Sequence, residues 1–197
     1  MNSAPQFSIL FVCTGNICRS PLAELLLWES INTPAITTTS AGTQALVGHP
    51  MPALQQELAT KLGVQAPEKH RAQQLTLQHV EIADLVLTME RQHRSEVVQL
   101  APRALRRTFT LQELARIAEV VPDEDLLFDN DENLVDRLKK LIEAAAMNRG
   151  IAVPFERPED DDVVDPYKRS RQTYLQARDQ VAAALGKIVA YLNRAAD

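Results

Sequence analysis

Phe7-Ser8-Ile9-Leu10-Phe11-Val12-Cys13-Thr14-Gly15-Asn16-Ile17-Cys18-Arg19-Ser20-Pro21 decides the fold. The apolar run Phe7 to Val12 reads as a buried strand, and the amphipathic stretch Leu22 to Ile31 reads as a helix. The residues between them form a tight strand-to-helix loop. Such a loop points several backbone N–H groups at one spot, where an anion can sit. Gly15 and Asn16 are residue types that tolerate a positive φ, so the chain can wrap around an oxyanion. Pro21 suits a first helical turn. Cys13 places a thiol at one end of the loop. Arg19 places at the other end a planar guanidinium that matches two phosphate oxygens, which lysine cannot do. Cysteine attacks phosphorus as a thiolate. The loop amides, Arg19 and a hydrogen bond from Ser20 are all groups that stabilise a sulfur anion. A phosphate cradle holding a nucleophile and a fixed positive charge points to phosphatase chemistry.

Beyond the loop, strands and helices alternate. Ile36 to Ala41 is a second strand, and a helix from about Pro52 to Leu62 ends before Gly63. Ala83 to Met89 is a buried third strand, followed by a helix from Glu90 to Leu100 that stops before Pro102. Arg107 to Phe109 is a short fourth strand. Thr110-Leu111-Gln112-Glu113 is a capping box opening a further helix. Asn133 to Asn148 reads as one helix, and the last runs from about Ser170 to Asn193. Pro154, Pro158 and the acidic run Glu159-Asp160-Asp161-Asp162 read as a solvent-exposed connector. The pattern implies an α/β fold: a single domain over residues 1–197 with a doubly wound four-stranded parallel sheet and helices on both faces. Ligands of such sheets sit beyond the carboxyl ends of the strands, where Cys13 falls.

The chain has 197 residues, 45% of them hydrophobic and 24% charged, which fits one globular domain with a sizeable core. Its formal net charge of −5 argues against general nucleic-acid binding. The cluster Arg103, Arg106 and Arg107 reads as a solvated face. No apolar stretch approaches the roughly 20 residues of a membrane helix, and no signal peptide is evident, so membrane insertion is not expected. Two cysteines, both in one loop, form no disulfide framework and suit a reducing cytoplasm. They also lack the spacing of a zinc site, and neither metal nor cofactor is expected.

At these residues the chain resembles the low-molecular-weight protein tyrosine phosphatases, which carry a Cys-x5-Arg-Ser loop between the first strand and first helix. The resemblance takes in Ser40-Ala41-Gly42-Thr43, His70 with Ala72 and Gln74, Ala83 to Met89, and Val163-Val164-Asp165-Pro166-Tyr167 just before the last helix. It covers most of residues 7–119 and 163–193, leaving about 120–162 as an insertion atypical of the family. It implies that Cys13 forms a phosphocysteine, and that Arg19 with the amides of Thr14, Gly15, Asn16, Ile17 and Cys18 holds the oxygens. It also implies that Asp165 is the general acid, that Ser20 assists the thiolate, and that Asn16, Ser40 and His70 form a supporting polar network. Ile17, Leu46 and Tyr167 would wall a slot for phosphotyrosine. Family members acting on phosphoarginine tend to have Thr in place of Ile17. The Leu46-Val47-Gly48 turn is similar to members paired with bacterial tyrosine kinases in polysaccharide export. The implied partners are a tyrosine-phosphorylated protein, such as a bacterial tyrosine kinase, and inorganic phosphate as product.

Three rivals remain. An arsenate reductase would have to borrow an external thiol, because no cysteine lies outside the loop. A protein arginine phosphatase would use the same loop. A non-hydrolytic phosphocysteine carrier needs neither Arg19 nor Asp165. Cys18 has two readings: a small core residue, or the partner of Cys13 in a protective reversible disulfide. His49, His79 and His93 are assigned no role.

Overall fold

In the computed structural model, which describes residues 7–120, 133–148 and 157–193, four strands form one parallel sheet. They are β1 (Phe7–Cys13), β2 (Ile36–Gly42), β3 (Leu85–Thr88) and β4 (Thr108–Thr110), in the order β2-β1-β3-β4. Seven helices are described: α1 (Arg19–Ile31), α2 (Ala53–Lys61), α3 (Leu77–Ile82), α4 (Arg91–Leu100), α5 (Leu111–Val120), α6 (Leu134–Asn148) and α7 (Arg171–Leu192).

Alternation along the strands sets the layers, because successive side chains of a strand point to opposite faces. Ile9, Phe11 and Cys13 of β1, with Leu85 and Leu87 of β3, join Leu22 and Leu27 of α1, Leu114 of α5 and Val181 and Leu185 of α7. Leu10, Val12 and Val86 face the other way, onto Val80 of α3, Val97 of α4 and Ala104. Helices therefore cover both faces, as the alternation of strands and helices predicts. A third cluster lies beneath the loop: Ile17, Cys18, Leu58 of α2, Ala72 and Tyr174 of α7.

The sheet order creates a crevice. From β1 the chain moves to β2 on one side, then returns to place β3 on the other side of β1. Between β1 and β3 the direction of progress reverses, and the loops leaving these strands part there. Cys13 is the last residue of β1 and Glu90 lies two residues past the end of β3, at that opening.

Some local elements differ from expectation. α1 begins at Arg19, three residues before Leu22, so Arg19 and Ser20 sit on its first turn. α3 was not anticipated; Thr76 caps it, accepting from the His79 N–H while His79 Nδ1 accepts from the Thr76 N–H at 3.1 Å. Residues Pro102–Arg107 form a 3-10 turn, which moves the fourth strand to Thr108–Thr110. The Thr110 capping box is present: the Glu113 N–H donates to Thr110 Oγ1 at 3.0 Å, and the Thr110 N–H donates to the Glu113 carboxylate at 3.3 Å.

α6 lies within the 120–162 segment; residues 121–132 and 149–156 fall outside the described residues, as does Pro154. Val135, Leu138 and Leu141 of α6 are buried in the main core. At about 1.5–3 kcal/mol for each buried large aliphatic side chain, α6 is part of that core rather than an appendage. Asn133 caps its start, its side-chain oxygen accepting from the Val135 and Asp136 N–H groups.

Candidate active site

A cavity of about 130 Å³ opens at the carboxyl end of β1, lined by Cys13, Thr14, Gly15, Ile17, Cys18, Arg19, Gln44, Leu46, Asp165 and Tyr167. Eight of these ten come from two short segments, the loop and the turn after β2. The backbone explains why they meet. The N–H groups of Thr43, Gln44 and Leu46 donate to the carbonyls of Cys13, Thr14 and Gly15 at 2.9, 3.0 and 3.0 Å. A side chain at Gly42 would have its Cβ 2.4 Å from the Thr14 carbonyl oxygen, so only glycine lets the two segments close.

Within the loop, Asn16 alone takes a positive φ, +53°. Gly15 does not; a Cβ there would make only an ordinary 3.5 Å contact with Ile17. The wrap expected of the Gly-Asn pair is thus carried by Asn16. Its side chain holds it there. Asn16 Oδ1 accepts from the Gln73 N–H at 2.8 Å, which orients the amide, and Nδ2 donates to Ser20 Oγ at 3.0 Å and Ser40 Oγ at 2.8 Å. His70 Nε2 donates to the Asn16 carbonyl at 2.7 Å.

The polarity of this network runs toward the sulfur. Ser20 Oγ accepts from Asn16, so its own hydrogen is free for Cys13 Sγ, 2.9 Å away. The Asn16 N–H approaches the same sulfur at 3.3 Å. On the opposite branch, Ser40 accepts from Asn16 and donates to Glu24 Oε2. Two donors therefore converge on the Cys13 sulfur.

Arg19 is 2% exposed, yet its charge is met from three sides. Nη1 donates to Glu90 and, at 2.9 Å, to the Val163 carbonyl; Nη2 lies 3.2 Å from Asp165 Oδ1. A buried charge is tolerable only when paired and hydrogen-bonded in this way.

A family model described as low molecular weight phosphotyrosine protein phosphatase matches residues 8–148. The chain belongs to that family. The match includes the loop and α6 and ends before Asp165. Among relatives, the low molecular weight protein-tyrosine-phosphatase Etp of Escherichia coli K12 is 42% identical over 101 residues, covering 51% of this chain and 66% of Etp. The protein-arginine-phosphatase of Geobacillus stearothermophilus is 38% identical over 107 residues, covering 54% of this chain and 70% of that protein. The crystal structure of the Erwinia amylovora tyrosine phosphatase AmsI superposes with a TM-score of 0.66 at 27% identity, covering 95% of this chain and 93% of that one.

In this family member the acidic connector is exposed at Pro158 and Glu159, as expected, but its last two acids are tied to the domain. Asp161 pairs with Arg116 of α5 at 2.6 Å, and Asp162 pairs with Arg91 of α4 at 3.0 Å while accepting from the Arg91 N–H at 2.7 Å. The Val163 N–H donates to the Met89 carbonyl at 2.7 Å, and the Val164 N–H to Gln180 of α7 at 3.0 Å. These ties carry Asp165 to the cavity mouth, where its side chain is 51% exposed. Tyr167 lies beside it on the rim.

Cys18 packs beneath the loop, its thiol donating to the Tyr174 hydroxyl at 3.9 Å. Burial pushes the Cys18 thiol up to about 12, only partly offset by Tyr174. It is thus a weak nucleophile at neutral pH, which supports the packed reading over the disulfide one. Both cysteines are free thiols.

Glu24, Glu90, His93, Gln44 and Gln73 belong to the site and were not foreseen. Glu90 had a signal: an acid two residues past a strand of a parallel sheet stands at the ligand edge. His93, given no role from sequence, is buried with Nε2 2.8 Å from Thr14 Oγ1.

Burial pushes the Glu24 carboxyl from its ordinary 4.5 up to about 7, against the lowering effect of its Ser40 hydrogen bond. A raised acid stabilises the fold fully below 4.5, and that contribution is lost as pH rises through about 7. Denaturant unfolding of the wild type should therefore lose ground to Glu24→Gln between those values. A stability difference that stays constant across this range would show that Glu24 is not strained by burial.

Proposed function

We propose that this chain hydrolyses phosphotyrosine on protein substrates through a phosphocysteine intermediate. The observation that carries the reading is a single cavity bordered by the Cys13 sulfur, the buried Arg19 fork and the Asp165 carboxyl. The Cys13 thiolate attacks phosphorus and the S–P bond forms. The P–O bond to the phenol breaks, with Asp165 supplying a proton to the departing oxygen. Water then attacks phosphorus, its proton passes to Asp165, the S–P bond breaks and inorganic phosphate leaves. Arg19 and the loop amides hold the non-bridging oxygens throughout. A phosphoryl dianion would compete with Asp165 for Arg19 Nη2, freeing the carboxyl to turn toward the leaving group.

The apolar walls Ile17 and Leu46 and the ring of Tyr167 suit an aryl group. Because one relative is named a protein-arginine-phosphatase, the experiment that separates the readings compares turnover of matched phosphotyrosine and phosphoarginine peptides. Faster turnover of phosphoarginine would overturn the tyrosine reading. The proposed partner is a tyrosine-phosphorylated protein such as a bacterial tyrosine kinase. The proposed location is the cytoplasm, in keeping with two free thiols. Among the described residues no helix is long and apolar enough to cross a membrane.

Asp165→Asn should lose about 10²-fold in kcat on phenyl phosphate, whose leaving group needs a proton, and only a few-fold on p-nitrophenyl phosphate. Equal losses on both substrates would remove Asp165 as the acid.

A further inference from the structure

His93 sits on the first turn of α4, buried beside the loop, and the reaction steps above do not use it. Its Nε2 is 2.8 Å from Thr14 Oγ1. Its Nδ1 is buried and has no hydrogen-bond partner among the described residues. These two facts select a tautomer. A neutral imidazole carries its one proton on Nδ1 or on Nε2. With the proton on Nδ1, a buried N–H would go without an acceptor, and the Thr14 hydroxyl would have to spend its only hydrogen on Nε2. Orphaned buried donors are the rarer and costlier case. With the proton on Nε2, the ring donates to Thr14 Oγ1 and only a lone pair is left unpartnered.

That tautomer leaves the Thr14 hydrogen uncommitted. Thr14 lines the cavity between Cys13 and Gly15, so that hydrogen is available to an oxyanion bound in the loop. Accepting from His93 also polarises the hydroxyl and makes it a better donor. Burial, with help from the nearby Arg19 charge, lowers the basicity of His93 and keeps the ring neutral; Glu90, Glu96 and Asp165 oppose this but do not reverse it.

We propose that His93 is a positioning residue, which through its Nε2–H fixes the Thr14 hydroxyl as a donor to the phosphoryl oxygens held in the loop. The proposal rests on the loop being a phosphate cradle, as argued above.

Two measurements test it: kcat/KM on p-nitrophenyl phosphate, and the affinity for inorganic phosphate by titration calorimetry. Thr14→Val should lose about tenfold in each, the usual size for one hydrogen bond to a charged group. His93→Leu should lose several-fold, and the double variant should lose no more than Thr14→Val alone, because His93 acts only through that hydroxyl. His93→Gln, whose side-chain amide can donate at a similar reach, should recover most of the His93→Leu loss. Losses that multiply in the double variant, or a Thr14→Val variant with both constants unchanged, would overturn the proposal. If His93→Leu does not fold, Thr14→Val and His93→Gln decide it: the first must lose and the second must not lose more than about twofold. A wild-type protein that binds phosphate but hydrolyses nothing would sink the phosphatase reading, while the phosphate affinities would still judge His93.

Discussion

Cys13→Ser is expected to lower kcat on an aryl phosphate by at least about 10⁴-fold while phosphate binding survives. The site is built to hold a sulfur anion, not to deprotonate a hydroxyl. Ser20 Oγ at 2.9 Å and the Asn16 N–H at 3.3 Å both aim donors at the Cys13 position. Among the described residues, neither histidine beside the loop is placed to take a serine proton. His70 spends its Nε2 proton on the Asn16 carbonyl, and His93 faces Thr14. The Arg19 fork and the loop amides are untouched by the change, so calorimetry should show phosphate affinity within a few-fold of wild type. Turnover retained to within tenfold would mean that sulfur is not the nucleophile. Unlike the loss in Asp165→Asn, this one should not depend on the leaving group.

Arg19→Lys should cost about 10³-fold in kcat/KM, and here phosphate affinity should fall as well. The guanidinium serves two sets of partners at once. Its Nη1 is committed to Glu90 and to the Val163 carbonyl at 2.9 Å, which leaves the rest of the fork at the cavity beside Asp165. A lysine ammonium is a point charge on a flexible stem. Drawn to Glu90, it leaves the cavity; drawn to the phosphate, it leaves Glu90 and Val163 unsatisfied beneath it. The variant should therefore also unfold at lower denaturant than wild type. A kcat/KM within tenfold of wild type would show that charge alone suffices and that the fork geometry is irrelevant. Joint loss of binding and turnover distinguishes Arg19 from Cys13, where turnover alone is lost.

Much of the fold was legible because its signals are local. The apolar runs of β1 and β3, the β-branched, Thr-rich run of β2, the Thr110 capping box and the long stripe of α7 are each readable within a dozen residues. α3 escaped because it has only six residues, too few to show a period. The pairings of Asp161 and Asp162 were hidden for a different reason. Four consecutive acids look solvated unless the arginines that meet them are known, and Arg91 and Arg116 lie 71 and 45 positions earlier in the chain. Which of Gly15 and Asn16 turns the loop was not legible, because residue type shows which conformations are permitted, not which is adopted.

The loop is written in one local stretch: a strand, a nucleophile, a turn able to present amides, an arginine and a helix start, all within fifteen residues. Its conformation depends on hydrogen bonds between near neighbours, such as Asn16 with Ser20 and Ser20 with Cys13. What stands around it comes from long-range packing. Glu90 beneath Arg19, His93 against Thr14 and the tethered approach of Asp165 depend on β3 lying beside β1 and on α5 and α7 covering one face, while Gln73 reaches Asn16 from the end of β2, where Gln74 bridges Gly42. Residues that far apart in the chain meet only because burying the sheet's two apolar faces leaves one strand order in which they can. That juxtaposition is a property of the packed core, and no single stretch of residues encodes it.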